Sequence, residues 1–406
     1  MLDLAKLALI LALTIYLLTR KWGLGLVLLL DAALPALLFR YPPLATLRSA
    51  FLGLVATDTL NPVGAVFLML VLAELLRRTE AMQHMVASLQ AVVPDTRVVL
   101  ATIPTVIGLM PMLGGAMFSA PLVNSVGSRL DLSSARKTFV NYWSRHAIEY
   151  VWPLHTSVLI TVALLEITPY AFITASYPLA LVALIGGVLW GLLGIRSSQE
   201  ERTGASQRGA WRDLLLSVWP LLLVILLVVV FRLPMVLSLP GVIVVFLLVK
   251  RVGVEQWTDV LRRSFPPRTF SAIVGVMILK RVIEDAGAAE RIPSVLGVIG
   301  LPPLLVAFLV PHLIGLLTGT PPAAVALSIP LVAPLMRMSR FDYVAGGMWM
   351  FVGTFSGVLL SPLHLCLALT REYFGASWGR LYRSIVPATV MVVAVALGLV
   401  LLRSGA

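Results

Sequence analysis

The chain has one cysteine in 406 residues, so it can form no internal disulfide and offers no paired-cysteine metal motif. Charge is also scarce. Only 12% of residues are Asp, Glu, Lys or Arg, against 59% hydrophobic, too few polar groups to cover a soluble protein of this size. No Walker A sequence, no HExxH and no Gly-x-Ser-x-Gly occurs, so ATP-driven transport, zinc-protease and serine-hydrolase chemistry have no support. No other set of nucleophile and base residues converges, and the chain is expected not to be an enzyme and to need no cofactor. Its net charge of +12 does not point to nucleic acid, because the basic residues gather at the ends of apolar runs rather than on one face.

What the chain has instead is length of apolar run, with a mean hydropathy of +0.97. Leu214 to Phe231 and Leu381 to Leu402 approach or exceed the roughly 20 residues of a spanning helix, without the alternation of a β-barrel. This is an α-helical, polytopic membrane protein whose first partner is the lipid bilayer. The early run Leu7 to Leu18 lacks a small-x-small cleavage site after it and reads as a mature helix. Cys366, inside LSPLHLCLAL, reads as a small buried hydrophobe.

The sequence also repeats itself. Residues 104–123, PTVIGLMPMLGGAMFSAPLV, are answered by 311–332, PHLIGLLTGTPPAAVALSIPLV, and WPLH at 152–155 by SPLH at 361–364. Pro104 and Gly108 match Pro311 and Gly315 at a separation of 207, while Ser119, Pro153, His155 and Pro178 match Ser328, Pro362, His364 and Pro387 at 209. Paired Pro- and Gly-interrupted apolar segments in corresponding positions of two halves mark the binding region of secondary transporters. The predicted halves are 1–195 and 213–406, divided by the hydrophilic linker 196–212.

Each half carries five predicted crossings: near 3–19, 23–39, 62–76, 138–165 and 170–195, then near 213–231, 236–249, 269–283, 343–369 and 384–402. Short surface helices are expected at 44–56, 80–93, 254–265 and 286–299. Between the third and fourth crossings lie segments about 98–128 and about 302–336, interrupted by Pro111-Met-Leu-Gly114-Gly115 and by Gly319-Thr-Pro321-Pro322. Such breaks predict re-entrant hairpins, which add no crossing. An odd number of crossings per repeat requires the two repeats to be inverted. Following them, 20 of the 31 Lys and Arg residues fall on one side and 10 on the other, with Arg145 alone inside the membrane. The positive-inside rule then puts both termini outside a cell membrane, the first hairpin opening to the cytoplasm and the second to the exterior.

The fourth crossing of each half is expected to be broken near its centre by Pro153 or Pro362. Candidate binding residues therefore lie at the hairpin tips, Pro111, Gly114, Gly115 and Ser119 in the first half and Thr318, Gly319, Thr320 and Ser328 in the second. Freed N–H groups there attract anions and freed carbonyls can coordinate Na+. Close packing of small residues is the competing reading. Along the broken helices the candidates are Asn141, Arg145, His146, Glu149, His155, Ser361 and His364. Arg145 and Glu149 are four apart, which predicts one helix face, with Arg145 clamping a carboxylate and Glu149 in proton coupling, or a purely structural pair. His155 and His364 either face the cavity as donors or proton carriers, or bond backbone freed by the adjacent proline. Asp31 and Asp58 read as interfacial or helix-contact carboxylates.

Through GLMPMLGGAMFSAPLV, NYWSRHAIEYVWPLH and SPLHLCLALTREYF, the chain resembles the membrane-protein family DUF401, grouped with the ion transporter superfamily. The resemblance covers most of its length. It implies two inverted five-helix repeats, each with a re-entrant hairpin and a broken helix, a homodimeric scaffold built from the first three helices of each repeat, and hairpins and broken helices that move like an elevator. The dicarboxylate symporters of that superfamily carry Ser-Asn-Thr at the hairpin tips, where this chain has Met-Leu-Gly-Gly and Thr-Gly-Thr-Pro. Substrate and ion stoichiometry therefore do not carry over. The expected function is secondary active transport of a small anionic organic solute with Na+ or H+. A cation/proton exchanger is the alternative, and an intramembrane or lipid-processing enzyme a more distant one.

Overall fold

A computed structural model describes residues 22–38, 40–109, 115–196, 204–287, 301–337 and 339–404, with positions 6, 9, 13, 14, 16, 17 and 20 before them. The predicted first crossing and the surface helix expected at 286–299 fall mostly outside these residues. The regular elements among those described are all helices. The first half contains α1 (Leu24–Leu38), α2 (Pro43–Val55), α3 (Thr57–Arg78), α4 (Ala81–Val92), α5 (Thr96–Gly108), α6 (Ala116–Arg129), α7 (Ser134–His146), α8 (Thr156–Leu165) and α9 (Pro169–Gly187). The second contains α10 (Gly204–Ile225), α11 (Met235–Lys250), α12 (Val254–Arg263), α13 (Pro267–Asp285), α14 (Pro303–Thr318), α15 (Pro321–Arg337), α16 (Tyr343–Leu360), α17 (Leu365–Phe374) and α18 (Trp378–Ser404). Wide π turns, Val188–Leu192 and Leu226–Val230, extend α9 and α10.

Among the described residues, five stretches are long and apolar enough to cross a membrane: Thr57–Arg78, Pro169–Leu192, Gly209–Val230, Tyr343–Phe374 and Trp378–Arg403. Helix α10 begins at Gly204, within the stretch predicted as the linker. On α9 and the π turn that extends it, Leu181, Leu184, Ile185, Val188 and Leu189 are all exposed, and their spacing of three and four residues lays one apolar stripe along the helix. A stripe of this kind is stable where lipid covers it.

The packing partners are reciprocal between the halves. Helix α1 lies on α13 and α11 on α3; α5 lies on α7 and α14 on α16; α15 reaches α8 and α6 reaches α17. Glycine makes the closest crossings possible. A Cβ on Gly108 would strike the Arg145 carbonyl oxygen, and one on Gly315 the Thr354 carbonyl oxygen, so α5 crosses α7 as α14 crosses α16. On the opposite face of the second crossing, Gly353 and Gly357 meet the backbone of Phe308 and His312.

Charges tie the helix ends together. Arg78 bridges Glu74, 2.9 Å away on α3, and Asp259 on α12. Lys280 Nζ of α13 lies 2.6 Å from Glu166 Oε1 at the end of α8, and Arg337 of α15 lies 3.5 Å from Oε2. The Lys280 hydrogen bond holds the Glu166 carboxyl below its ordinary range. A depressed carboxyl stabilises the fold above its unfolded pKa and loses that contribution as pH falls through the folded value. Lys280→Met is therefore expected to lower the melting temperature at neutral pH by the equivalent of about 1 kcal/mol for a partly exposed pair. The gap to wild type should close as pH falls below about 4, which thermal unfolding in detergent across pH checks.

Candidate functional site

Two helix pairs and two interrupted helices build the site. Asp95 caps α5, its Oδ1 accepting from the Arg97 N–H at 2.8 Å, and Ser133 caps α7. In the second half α14 ends at Thr318 and is capped by Gly319, whose φ of +62° suits a glycine, and α15 starts at Pro321. A Cβ on Gly319 would meet the backbone of Leu363 and His364, so this turn sits directly on the interruption between α16 and α17.

The two interruptions differ. Helix α16 stops at Leu360 and α17 resumes at Leu365, with Pro362 between them. Two tyrosines cover carbonyls of the last turn: Tyr142 Oη donates to the Leu359 carbonyl at 3.0 Å and Tyr382 Oη to that of Leu360 at 2.8 Å. Ser361 Oγ donates to the Leu316 carbonyl at 2.6 Å, fastening the break to α14. In the first half α7 ends at His146 and α8 begins only at Thr156, a longer gap. Pro153 has no N–H for the carbonyl of Glu149 and its ring crowds that turn, so the break reaches upstream of the proline.

This overturns one expectation. Arg145 and Glu149 do not share a helix face, because Glu149 lies in the non-helical turns. Its carboxylate instead meets two histidines: Oε2 is 2.6 Å from His146 Nδ1 and Oε1 is 2.6 Å from His155 Nε2. His155 Nδ1 lies 2.7 Å from Ser157 Oγ. His364 Nδ1 donates to the Gly319 carbonyl at 2.6 Å, and its Nε2 is 3.3 Å from His146 Nε2. The two histidines matched by the repeat thus take different partners: His364 bonds the backbone of the α14–α15 turn, while His155 bonds side chains.

The buried Arg145 guanidinium lies against Gly115, where a Cβ would come 2.5 Å from Nη1 and Nη2. Asn141, fully buried one turn earlier, donates from Nδ2 to the Ala116 carbonyl at 3.0 Å and to Thr370 Oγ1 at 3.2 Å. Its Oδ1 finds no hydrogen bond among the described residues. Ser119 Oγ donates to the Ala116 carbonyl at 3.2 Å. Its repeat partner Ser328 bonds the Ala324 carbonyl at 2.7 Å and lies 3.1 Å from Thr354 Oγ1. Thr318 Oγ1 reaches the Gly315 carbonyl at 3.5 Å, and the Thr320 carbonyl accepts from the Ala324 N–H at 3.0 Å. Pro111 and Gly114 lie outside the described residues.

His146, Glu149, His155, His364 and Gly319 are thus joined through successive contacts, and Arg145 and Asn141, on the preceding turns of α7, meet Gly115 and Ala116 of the first helix pair. Ser119, Ser328, Thr318 and Thr320 instead support helix backbone nearby. Sequence reasoning passed over Tyr142, whose partner is 217 residues away, and Cys366, which joins His146 and His364 in the one cluster of metal-ligating type among the described residues. The Leu-His-Leu-Cys run directly after Pro362 was the available signal for Cys366. Tyr142→Phe is expected to cost about 1–3 kcal/mol, because it leaves the buried Leu359 carbonyl without its donor. Thermal unfolding of the purified variant measures this.

The arrangement presents a cationic fork and an amide at the end of α7, beside an imidazole–carboxylate chain that runs from the first break to the second. These groups can bind an anion, hold a cation or pass a proton. No curated protein matches the chain. The family model that does match, over residues 4–403, is described as a protein of unknown function, DUF401, and the chain belongs to that family.

Proposed function

We propose that this protein is a secondary active transporter of a small anionic organic solute, driven by Na+ or H+, and a member of the ion transporter superfamily. In this reading α5–α6 and α14–α15 are re-entrant hairpins in two inverted repeats, and hairpins and broken helices move together across the membrane by alternating access of the elevator type. One observation carries the proposal: Gly115, at the start of α6, lies against the Arg145 guanidinium in the last turn of α7, and Gly319, between α14 and α15, lies against His364 in the break before α17. Irregular backbone and buried ionisable groups at membrane depth are tolerated where they line a cavity or pathway, and they coincide here. The planar guanidinium is suited to a carboxylate.

The test is uptake into proteoliposomes, screening labelled carboxylates under imposed Na+ and H+ gradients. Accumulation of at least one carboxylate that collapses with one of the two gradients is expected. The contact of Glu149 with two histidines favours one competing reading, a cation/proton exchanger. Transport of no carboxylate, together with dissipation of a pH gradient by added Na+, would establish the exchanger in place of the anion carrier.

A further inference from the structure

The hydrogen-bond partners of two histidines fix which nitrogen of each is free. The Gly319 carbonyl can only accept, so His364 Nδ1 carries the hydrogen, and in the neutral ring its Nε2 presents a lone pair. The Glu149 carboxylate accepts from His146 Nδ1, and in the neutral ring His146 Nε2 likewise presents a lone pair. These two Nε2 atoms face each other at 3.3 Å across the meeting point of the two halves. Lone pairs at that separation repel unless a cation is shared between them. Cys366, two residues beyond His364, completes the group: its Sγ and one ring nitrogen from each imidazole lie within 4.8 Å of one another.

We propose that His146 Nε2, His364 Nε2 and Cys366 Sγ form a binding site for a borderline-to-soft metal ion of the Zn2+ type. Zinc binds imidazole nitrogen at about 2.0–2.1 Å, and two such bonds at a tetrahedral angle place the nitrogens about 3.3 Å apart, the separation found here. The outer contacts also match. Metal-binding histidines donate their other ring N–H to a carboxylate or a backbone carbonyl, and these two do one each, to Glu149 and to Gly319. Hard cations such as Na+ or Mg2+ prefer oxygen, so a thiolate with two imidazoles selects against them. The site draws its ligands from both halves, the end of α7 and the start of α17, and a bound metal would pin the two breaks together. The inference goes beyond the transport reading and does not depend on it.

Co2+ titration of the full-length protein, purified in detergent and stripped with a chelator, tests this without any transport assay. The wild type is expected to bind one Co2+ per chain, with the intense visible bands of tetrahedral cobalt and a near-ultraviolet thiolate charge-transfer band, both removed by stoichiometric Zn2+. Cys366→Ser should abolish the charge-transfer band, and Glu149→Gln should weaken Co2+ binding about 10- to 100-fold. His312→Ala, outside the cluster, should change neither. Zn2+ should raise the melting temperature of the wild type and not of Cys366→Ser, which guards against a variant that merely misfolds. Absence of tetrahedral bands in the wild type would overturn the site and leave a shared proton between the imidazoles, as would a charge-transfer band that survives Cys366→Ser.

Discussion

Arg145→Ala is expected to reduce carboxylate uptake at least about a hundredfold, the scale of losing one member of a buried, hydrogen-bonded charge pair in a complex. The guanidinium is buried against Gly115, at the start of α6, where the first helix pair packs on the last turn of α7. Arg145→Lys should recover only part of the activity, because a point charge cannot offer two parallel N–H bonds to a carboxylate. Uptake with a raised half-saturation and an unchanged maximal rate would mean that Arg145 binds solute equally throughout the cycle; loss of maximal rate would mean that it acts during the crossing. Arg145→Ala with wild-type uptake and an unchanged melting temperature would remove the anion clamp and favour the exchanger.

The second large effect concerns the fold. Gly357→Ala is expected to destabilise the protein by about 3 kcal/mol, near the upper end for overpacking a tight interface. The new methyl would be driven into the backbone of His312 and Leu316, neither of which can swing aside as a flexible side chain could. Gly315→Ala should behave alike from the other side of the same crossing, against the Thr354 carbonyl. Gly379→Ala, where nothing lies within 4 Å of the added methyl, is the matched control and should leave stability unchanged or slightly raised. Thermal unfolding of the three variants in one detergent decides this.

Much of the architecture was legible because its signals are local. Proline and glycine punctuate apolar runs wherever they occur, so the segments expected at about 98–128 and 302–336 correspond closely to α5–α6 and α14–α15. The interruptions near Pro153 and Pro362 follow from a missing backbone donor and could be read in the same way. The extent of the first break could not. Helical spacing placed Glu149 beside Arg145, whereas crowding at Pro153 unwinds the chain back to His146 and turns the carboxylate toward two histidines. Contacts between the halves were also hidden. His146 meets His364 across 218 residues and Asn141 meets Thr370 across 229. Such pairings depend on how helices pack rather than on any period in the sequence. Cys366 is the clearest case: in an apolar run it reads as filler, and only the approach of α7 gives its sulfur two imidazole neighbours.

The single native cysteine makes the most direct test simple. In a Cys366→Ser background, Pro94→Cys and Ser128→Cys mark the two outer ends of α5–α6, and Leu301→Cys and Arg340→Cys those of α14–α15. A membrane-impermeant thiol reagent, applied from each side of oriented vesicles, should reach the first two from the cytoplasmic face only and the second two from the exterior only. If Pro94→Cys and Ser128→Cys react from opposite faces, the helix pair crosses the membrane, and the inverted re-entrant hairpins on which the transport reading rests are contradicted.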